Sequence, residues 1–598
     1  MNARWFVGLT AIVMFVGCSK QGSESTVEEQ PETSKSTQTE PMDRLFGDLQ
    51  MADEDAPVKV GSDEDKVQTL SRSVQLRDVA KELGVNFTYR TGQQADLWMP
   101  ESMGGGVGVA DFDLNGLPDM VFSQGGAGRP GNLPEEPGVI LFRNRSGANF
   151  VRSDEAFVDP RSEYGQGVAI GDFNADGIED VYLTTTGKDR LFQNEGDGTF
   201  RDVTHQVFPS PNDRWSTSAQ WADLNRDGLL DLYVCNYLQY DMIGAPVCRD
   251  GDGEARLCRP QEFAAWDNRA FIQQGDGRLL DEASQRGLVG EDGKSLGVAI
   301  ADLNQDGHLD VYVANDTTAN FYFRGSESGV SVEEAVLRGC GTNLQGQFEA
   351  GMGVAMVDVD RDGWLDVFCT NYFNESNTLY RNLGLAGFQD ATSKFGLRTP
   401  SLSVLGFGAV FADLNHDGMD ELVVTNGHVD NHPRNQLQKM PPQCFAMVGS
   451  QFREMSETSG AFFETAKIGR GMAKCDFDQD GDLDLVVVHQ NSPVALLENQ
   501  SGLVAERPND SGWLQLNLVG VQSPRQGQGA KVSVTQGDQV WYQELSGGGT
   551  YLSTDEKRLH FGFPENFPVQ MEVQWPSGSL QRLSNVELGQ VLFVVEGT

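Results

Sequence analysis

The chain has 598 residues, 39% of them hydrophobic, which is too long for one ordinary core and apolar enough for several packed units. A formal net charge of −42 sets it against phosphate backbones and argues against a nucleic-acid partner. The 69 glycines follow no collagen-like period and point instead to many turns.

At the N-terminus, Arg4 precedes a mostly apolar stretch from Trp5 to Val16. That stretch is too short to span a bilayer and has the length of a signal-peptide core. It ends at Phe15-Val16-Gly17-Cys18. A small residue before a Cys resembles the bacterial lipoprotein processing site, at which the Cys becomes lipid-modified. Residues 1–18 are therefore expected to be a lipoprotein signal with Cys18 as the lipidated residue; plain signal cleavage, with Cys18 incidental, is the other reading. The resemblance also implies outer-membrane sorting, since Ser19 rather than Asp follows. Residues 19–72 are rich in Ser, Thr, Glu and Gln and cannot bury enough apolar surface to fold, so they read as a disordered acidic tether. Its root-mean-square reach would be roughly 40 Å.

A nine-residue pattern then recurs seven times: an acid, Asp or Asn at positions 3 and 5, Gly at 6, and an acid at 9. The seven sets are Asp111, Asp113, Asn115, Asp119; Asp172, Asn174, Asp176, Asp180; Asp223, Asn225, Asp227, Asp231; Asp302, Asn304, Asp306, Asp310; Asp358, Asp360, Asp362, Asp366; Asp413, Asn415, Asp417, Glu421; and Asp476, Asp478, Asp480, Asp484. Small-residue runs such as Gly106-Val-Gly-Val-Ala110 precede the loops, and β-branched or apolar runs such as Val311-Tyr-Val313 follow them. These read as strands on both sides of a turn. Two further markers recur in order: an apolar residue two before Asn, as in Phe142-Arg-Asn144, and segments like Phe200-Arg-Asp-Val-Thr204. Each unit thus holds about four strand-sized segments, and four-stranded units repeated radially are propeller blades. The seventh unit lacks its last segment, and a similar one, Leu76-Arg-Asp-Val-Ala80, sits before the first loop. The expectation is a closed ring in which the N-terminal segment completes blade 7. The rival is an open solenoid with capping units.

Oxygen ligands at positions 1, 3 and 5 of a tight turn converge on one point, and an acid at 9 closes the set. Several hard carboxylates favour calcium, whereas magnesium demands stricter octahedral geometry. An EF-hand loop begins the same way but needs Glu at position 12. Here position 12 is Phe122, Leu183, Val234, Val313, Cys369, Val424 and Val487, all apolar and within expected strands. The bland reading is that Asp and Asn simply favour turns; it explains one acid per turn better than a cluster that repels itself. The sequence predicts up to seven calcium ions, one per loop.

The loops and their Gly-rich leading strands resemble FG-GAP/VCBS repeats, the blades of integrin α-like propellers. Residues Gly527-Gln-Gly-Ala-Lys531, Gly548-Gly-Thr-Tyr-Leu-Ser553, Arg558-Leu-His-Phe-Gly562, Val573-Gln-Trp-Pro-Ser-Gly578 and Glu596-Gly597 resemble an ASPIC/UnbV domain. Together they are similar to the cartilage acidic protein family, in a bacterial form. The resemblance implies an extracellular, calcium-binding, non-catalytic protein. Read on its own, the segment 511–598 alternates like strands, as in Leu514-Gln-Leu-Asn-Leu518, and suggests a small β-sandwich. Gly547-Gly-Gly-Thr550 reads as a Gly-rich turn, with a binding loop as the alternative. The expected fold is all-β: a seven-bladed, integrin α-like β-propeller over 73–505 and a β-sandwich-like domain over 511–598.

Cys248 and Cys258 lie in a long insertion after the third loop, and an exported location allows a disulfide there. Cys235, Cys369 and Cys475 sit on apolar runs and read as buried thiols; the pairing of Cys340 and Cys444 stays open. His428 and His432 could suggest a transition-metal site, but Asp, Asn and Gly around them suggest a loop. Two functions follow. One is an exported, lipid-anchored scaffold at the outer membrane or cell surface, with no catalytic residues. It would bind a protein or glycan through long loops such as 240–268 and 428–447 and touch the membrane only through its lipid. The other is a propeller enzyme of lyase, glycosidase or quinoprotein type with a central-channel site.

Overall fold

The computed structural model describes residues 73–597 apart from 94–96, 127–136, 160–162, 242, 245, 431–437 and 505–510. The expected signal, Cys18, the tether over 19–72 and His432 lie outside the described residues. From Leu76 to Asn499 the strands form seven four-stranded sheets, and sandwich strands follow. Within each sheet, neighbours pair antiparallel; in blade 1 the order is Val107–Ala110, Asp119–Ser123, Val139–Asn144 and Phe150–Arg152.

The first strands of the blades are Val107–Ala110, Gly165–Gly171, Ser216–Ala222, Ser295–Ala301, Val354–Val357, Gly406–Ala412 and Gly469–Cys475. Each packs against the first strand of the next blade, and the seventh packs against the first, so the sheets stand in a closed ring. The small residues of these strands set how closely they approach. A Cβ on Gly353 would lie 2.1 Å from the Phe407 carbonyl oxygen of the next blade, and one on Gly106 would lie 2.6 Å from Gly167 Cα. Between the blades lie apolar layers, such as Phe112, Val121, Ile170, Val181 and Phe200 between blades 1 and 2.

Blade 7 consists of Gly469–Cys475, Asp484–His489, Ala495–Asn499 and, at its outer edge, Leu76–Asp78. Leu76 pairs with Asn499 and Asp78 with Leu497, and the Leu496 carbonyl accepts the Val79 N–H at 2.8 Å. The chain's first described strand therefore closes the ring, and the solenoid alternative is set aside.

The C-terminal domain is a sandwich of two sheets. One holds Leu559–Phe563, Gly512–Val519 and Gln590–Val595; the other holds Gln539–Glu544, Lys531–Gln536, Val569–Gln574 and Leu580–Val586. Leu514, Leu516, Val532, Val534, Phe561, Met571 and Val573 fill the space between them. It lies in the same compact unit as the ring, Gln68–Thr598.

The segment between Glu544 and Leu559 leaves this sandwich and enters the ring. The Val107 carbonyl accepts the Thr554 N–H at 2.9 Å, and the Val109 N–H donates to the Thr554 carbonyl at 3.1 Å. The Leu552 carbonyl accepts from Val168 N–H at 2.9 Å, and its N–H donates to Ser218 Oγ at 3.0 Å. Thr550 Oγ1 accepts from Ala409 N–H at 2.9 Å, and Asp555 Oδ1 accepts from Lys474 N–H at 3.0 Å. Tyr551, Leu552 and Thr554 are buried. The glycine-rich stretch is therefore a plug in the central channel, not a free turn. Its glycines are needed for clearance: a Cβ on Gly547 would lie 1.7 Å from the Trp221 carbonyl oxygen.

Beyond the plug tip, the other end of the channel is floored by aromatic rings. Tyr551 packs on Phe407 at 4.9 Å, and Trp98, Tyr164, Trp215, Tyr237 and Tyr240 follow in edge or tilted contact. Arg470 is buried among them, 3.9 Å from the Phe407 ring centroid, and among the described residues donates to the carbonyls of Ser102, Gly427 and Gly469. Carbonyl dipoles and π-faces stand in for a counter-ion.

Because Leu76–Asp78 covers the edge of Ala495–Asn499, deleting residues 73–80 is expected to lower the thermal midpoint. It should also produce concentration-dependent oligomers through the bared strand, seen by light scattering. A monomer with an unchanged midpoint would show that the ring holds without this strand.

Candidate metal centres

All seven loops sit where the first strand of a blade turns into the second, and position 9 is always the first residue of the second strand. The turn needs two left-handed residues. Gly at position 6 supplies one, with φ between 84° and 93°. The other is position 4, where Leu114, Ala175, Arg226, Gln305, Arg361, His416 and Gln479 all have positive φ. No residue type marked position 4 in the sequence, since any L-residue there bears a similar modest strain.

The backbone of the turn holds the position-1 carboxylate. Asp111 Oδ1 accepts from Asn115 N–H at 3.0 Å and its Oδ2 from Gly116 N–H at 2.7 Å. The same pair of bonds recurs at Asp172, Asp223, Asp302, Asp358 and Asp413. The position-9 carboxylate is tied differently. Asp119 Oδ2 accepts from Phe112 N–H at position 2, and Oδ1 accepts from Asn144 N–H at the end of the third strand, at 2.7 Å. Asp180, Asp231, Asp310, Asp366 and Asp484 repeat this bridge with Asn194, Gln273, Gly325, Asn382 and Asn499. Glu421 reaches one methylene further; its Oε2 accepts from Leu414 N–H and its Oε1 from Asn415 Nδ2.

The residue at the end of the third strand also reaches the neighbouring blade. Asn194 Nδ2 donates to the Phe112 carbonyl of loop 1 at 2.9 Å. Gln273, Asn382 and Asn499 do the same to Phe173, Leu303 and Leu414, and Asn144 crosses the ring closure to Phe477 of loop 7. The recurring Asn was visible in the sequence, but its inter-blade role was not, because the acceptor is a backbone carbonyl some eighty or more residues away.

Three loops gather acids so that ligand oxygens lie within 4.8 Å of one another: Asp111, Asp113 and Asp119; Asp358, Asp360 and Asp362; and Asp476, Asp478 and Asp484. Each of these clusters contains one buried carboxylate oxygen without a hydrogen-bond partner among the described residues: Asp113 Oδ1, Asp360 Oδ1 and Asp476 Oδ1. The sister oxygens are engaged. Asp113 Oδ2 meets Arg145 at 3.0 Å, Asp360 Oδ2 meets Arg381, and Asp476 Oδ2 accepts from Gln515 Nε2 at 2.7 Å. A stranded carboxylate oxygen inside a cluster of acids is costly unless a cation meets it. Of the other predicted ligands of these loops, Asp366 and Asp480 fall outside the gathered acids, and Asn115 Nδ2 donates to the Asn144 carbonyl at 2.9 Å. Among the described residues, the four loops with Asn at position 3 (Asn174, Asn225, Asn304 and Asn415) do not gather three acids. There the amide turns inward on the loop; Asn174 Nδ2 donates to Asp176 Oδ2 at 2.8 Å and Asn225 Nδ2 to Asp227 Oδ2 at 3.0 Å.

Burial opposes ionisation in these loops. It pushes Asp172, Asp223 and Asp358 up to about 6 and Asp476 to about 7. Asp119, Asp310 and Asp366 are pushed up to about 8 for the same reason.

Cys248 and Cys258 are joined as a disulfide in the insertion after loop 3, with Cα atoms 5.2 Å apart. They and Glu262 lie close enough to suggest a metal, but bonded sulfurs offer no thiolate. Cys235, Cys340, Cys369, Cys444 and Cys475 are free and buried. His428 packs on Tyr372 at 5.4 Å and accepts from Asp430 N–H on Nδ1 at 3.0 Å.

Comparison with known proteins matches the FG-GAP-like repeat to residues 111–183, 172–234, 250–313 and 358–424, and the ASPIC and UnbV domain to residues 520–598. The chain carries both. It is 26% identical over 540 residues to cartilage acidic protein 1 of Homo sapiens, covering 83% of this chain and 72% of that protein. The Mus musculus protein is 26% identical over 541 residues, with 83% and 74% covered. Among solved structures, the N-terminal domain of Nup159 aligns with a TM-score of 0.36 at 8% identity over 72% of this chain and 96% of that one. An Agrocybe aegerita lectin that recognises non-reducing terminal N-acetylglucosamine aligns with a TM-score of 0.34 at 14% identity over 66% and 94%.

Replacing Asn194 by Ala strands the buried Phe112 carbonyl. This should cost about 1–3 kcal/mol in urea unfolding and leave metal content unchanged. An unaltered unfolding curve would show that the inter-blade bond contributes nothing.

Proposed function

We propose that the chain is an exported, lipid-anchored, calcium-binding propeller that acts as a non-catalytic binding scaffold at the cell surface. The observation that carries the calcium reading is the stranded carboxylate oxygen in each of the three acid clusters. Asp111, Asp113 and Asp119, Asp358, Asp360 and Asp362, and Asp476, Asp478 and Asp484 would hold the ion, which supplies charge neutralisation and pins the first turn of the blade. Loops 2, 3 and 6 share the same backbone frame and position-1 donors and would bind through three acids that are less closely gathered and an Asn oxygen.

The scaffold reading rests on the channel. A propeller enzyme with a central site needs an open channel, and here residues 545–558 occupy one end while aromatic rings close the other. What remains for a ligand is the face formed by the connections between second and third strands, opposite the loops. The described residues of the insertion after loop 3 lie there with exposed Ile243; Tyr372 and Phe373 pack against the same core as its Phe263, and His428 packs against both. A protein or glycan partner would meet an aromatic, loop-rich surface; the acidic chain gives nucleic acid no footing. Among the described residues no helix is long and apolar enough to cross a membrane, so the anchor would be the lipid on Cys18.

Metal analysis of the purified protein should find calcium, and Asp358→Asn should lower the count by one. Chelation should lower the melting temperature markedly. The pH dependence should invert with metal. In the chelated protein, carboxyls lifted by burial towards about 8 hold protons that the unfolded chain, near 4, has released; stability therefore falls as pH rises from about 4 to about 8. The chelated form should melt higher at pH 6 than at pH 8, and the calcium form should not. A metal-free protein whose melting ignores both chelator and pH would end the calcium reading. For the anchor, Cys18→Ser should move the protein from the membrane fraction to the soluble fraction of cells; no redistribution would exclude lipidation.

A further inference from the structure

Loop 4 differs from the other loops in what touches its first carboxylate. Lys531 and Glu544 are direct cross-strand partners in the C-terminal sandwich, and both side chains reach Asp302. Lys531 Nζ donates to Asp302 Oδ2, and the Glu544 carboxylate accepts the Asp302 N–H, Oε1 at 3.2 Å. The usual turn bonds are also present: Asp306 N–H on Oδ1 at 3.0 Å and Gly307 N–H on Oδ2 at 2.7 Å. Asp302 is thus fully engaged, with an ammonium on the oxygen that faces the sandwich. Among the described residues no other position-1 carboxylate has an ammonium or guanidinium within salt-bridge distance. The pair sits in the interface: the Lys531 side chain is 12% exposed and that of Asp302 2%.

Loop 7 provides the internal comparison. The sandwich clamps its position-1 residue in the same way, with the Glu556 carboxylate accepting the Asp476 N–H at 3.1 Å. There, however, the donor on Oδ2 is the neutral amide of Gln515, and Asp476 Oδ1 is left without a partner. The two clamps share their shape and each holds one cation, but it is placed differently: Arg558 meets Glu556 and the Gln515 amide oxygen, each at 2.9 Å, and not Asp476, whereas Lys531 meets Asp302 itself. An amide leaves the carboxylates of loop 7 to be neutralised by an ion. An ammonium on Asp302 neutralises the position-1 carboxylate itself and stands where a divalent cation would bind, whereas the guanidiniums of loops 1 and 5 meet only the outer oxygens of positions 3 and 5, Arg145 on Asp113 and Arg381 on Asp360 and Asp362.

We propose that the Lys531 ammonium is the resident cation of loop 4 and keeps calcium out of it, so that the chain binds one calcium fewer than it has loops. The C-terminal domain is then docked at loop 4 by a charge of its own. This rests on the calcium reading of the other loops.

The test is a count of calcium per full-length chain by native mass spectrometry at saturating calcium. Asp302→Asn should leave the count unchanged, whereas Asp358→Asn should lower it by one. The double variant Lys531→Met with Glu544→Gln, which removes the ammonium without stranding its buried partner, should raise it by one. A count that falls by one in Asp302→Asn would overturn the proposal, because calcium would then sit in loop 4 beside Lys531. A folded double variant that gains no ion would overturn it too. If the double variant does not fold, the comparison of the two single variants still decides. A count of zero in the unaltered protein is a different failure; it removes the calcium reading itself.

Discussion

Each blade depends on a carboxylate that water never reaches. The position-9 acid of six loops binds the N–H at the start of its own loop and the N–H at the end of its own third strand, so three strands of a blade converge on one side chain. Where an Asn or Gln ends the third strand, its amide continues the chain of bonds to the neighbouring loop. The apolar layers between blades have no directional preference of their own. These bonds give them one, because a buried carboxylate with unsatisfied oxygens is costly in any other arrangement. Neighbouring loops are laced as well: Gln305 of loop 4 donates to the Gly363 carbonyl of loop 5 at 2.6 Å, and Arg361 of loop 5 to Gly418 of loop 6.

The second constraint comes from the sandwich. It sits on the loop face of the ring, and its contacts are to the loops themselves. Trp541 Nε1 donates to the Gly418 carbonyl at 2.9 Å, and Arg361 lies 4.9 Å from the Trp541 ring centroid. His560 Nε2 lies 3.1 Å from the Gly481 carbonyl oxygen. With the plug between Glu544 and Leu559 added, ring and sandwich share buried backbone hydrogen bonds, which goes beyond a rim of exposed polar contacts. Any ion bound in the loops would therefore bear on domain docking as well as on blade geometry.

Much of the architecture was legible in the sequence because it repeats. Seven near-identical turns, apolar position 12, and the stray segment Leu76-Arg-Asp-Val-Ala80 together lead to a closed seven-bladed ring, and the strand pairing of Leu76–Asp78 with Ala495–Asn499 agrees. What repetition could not reveal is whatever occurs once. The channel plug looks like any glycine-rich turn until Gly547 is seen against Trp221. Lys531 looks like a surface lysine on a strand until Asp302 lies opposite it. The loops were equivalent as a pattern, yet Asp or Asn at position 3 divides them: an amide closes on its own loop, as Asn174 does, whereas a carboxylate there gathers three acids, one oxygen of which is left stranded.

The way the ring closes also sets an order of events during synthesis. Leu76–Asp78 is made long before Ala495–Asn499, the strand it must join, and more than four hundred residues separate the partners. Contacts so remote in sequence form late and slowly. Until then the first strand is a short unpaired segment and the growing arc ends in an open edge, a state prone to wrong pairing. If the chain crosses a membrane as an unfolded thread, the six contiguous blades must wait as an open arc for the last one to arrive.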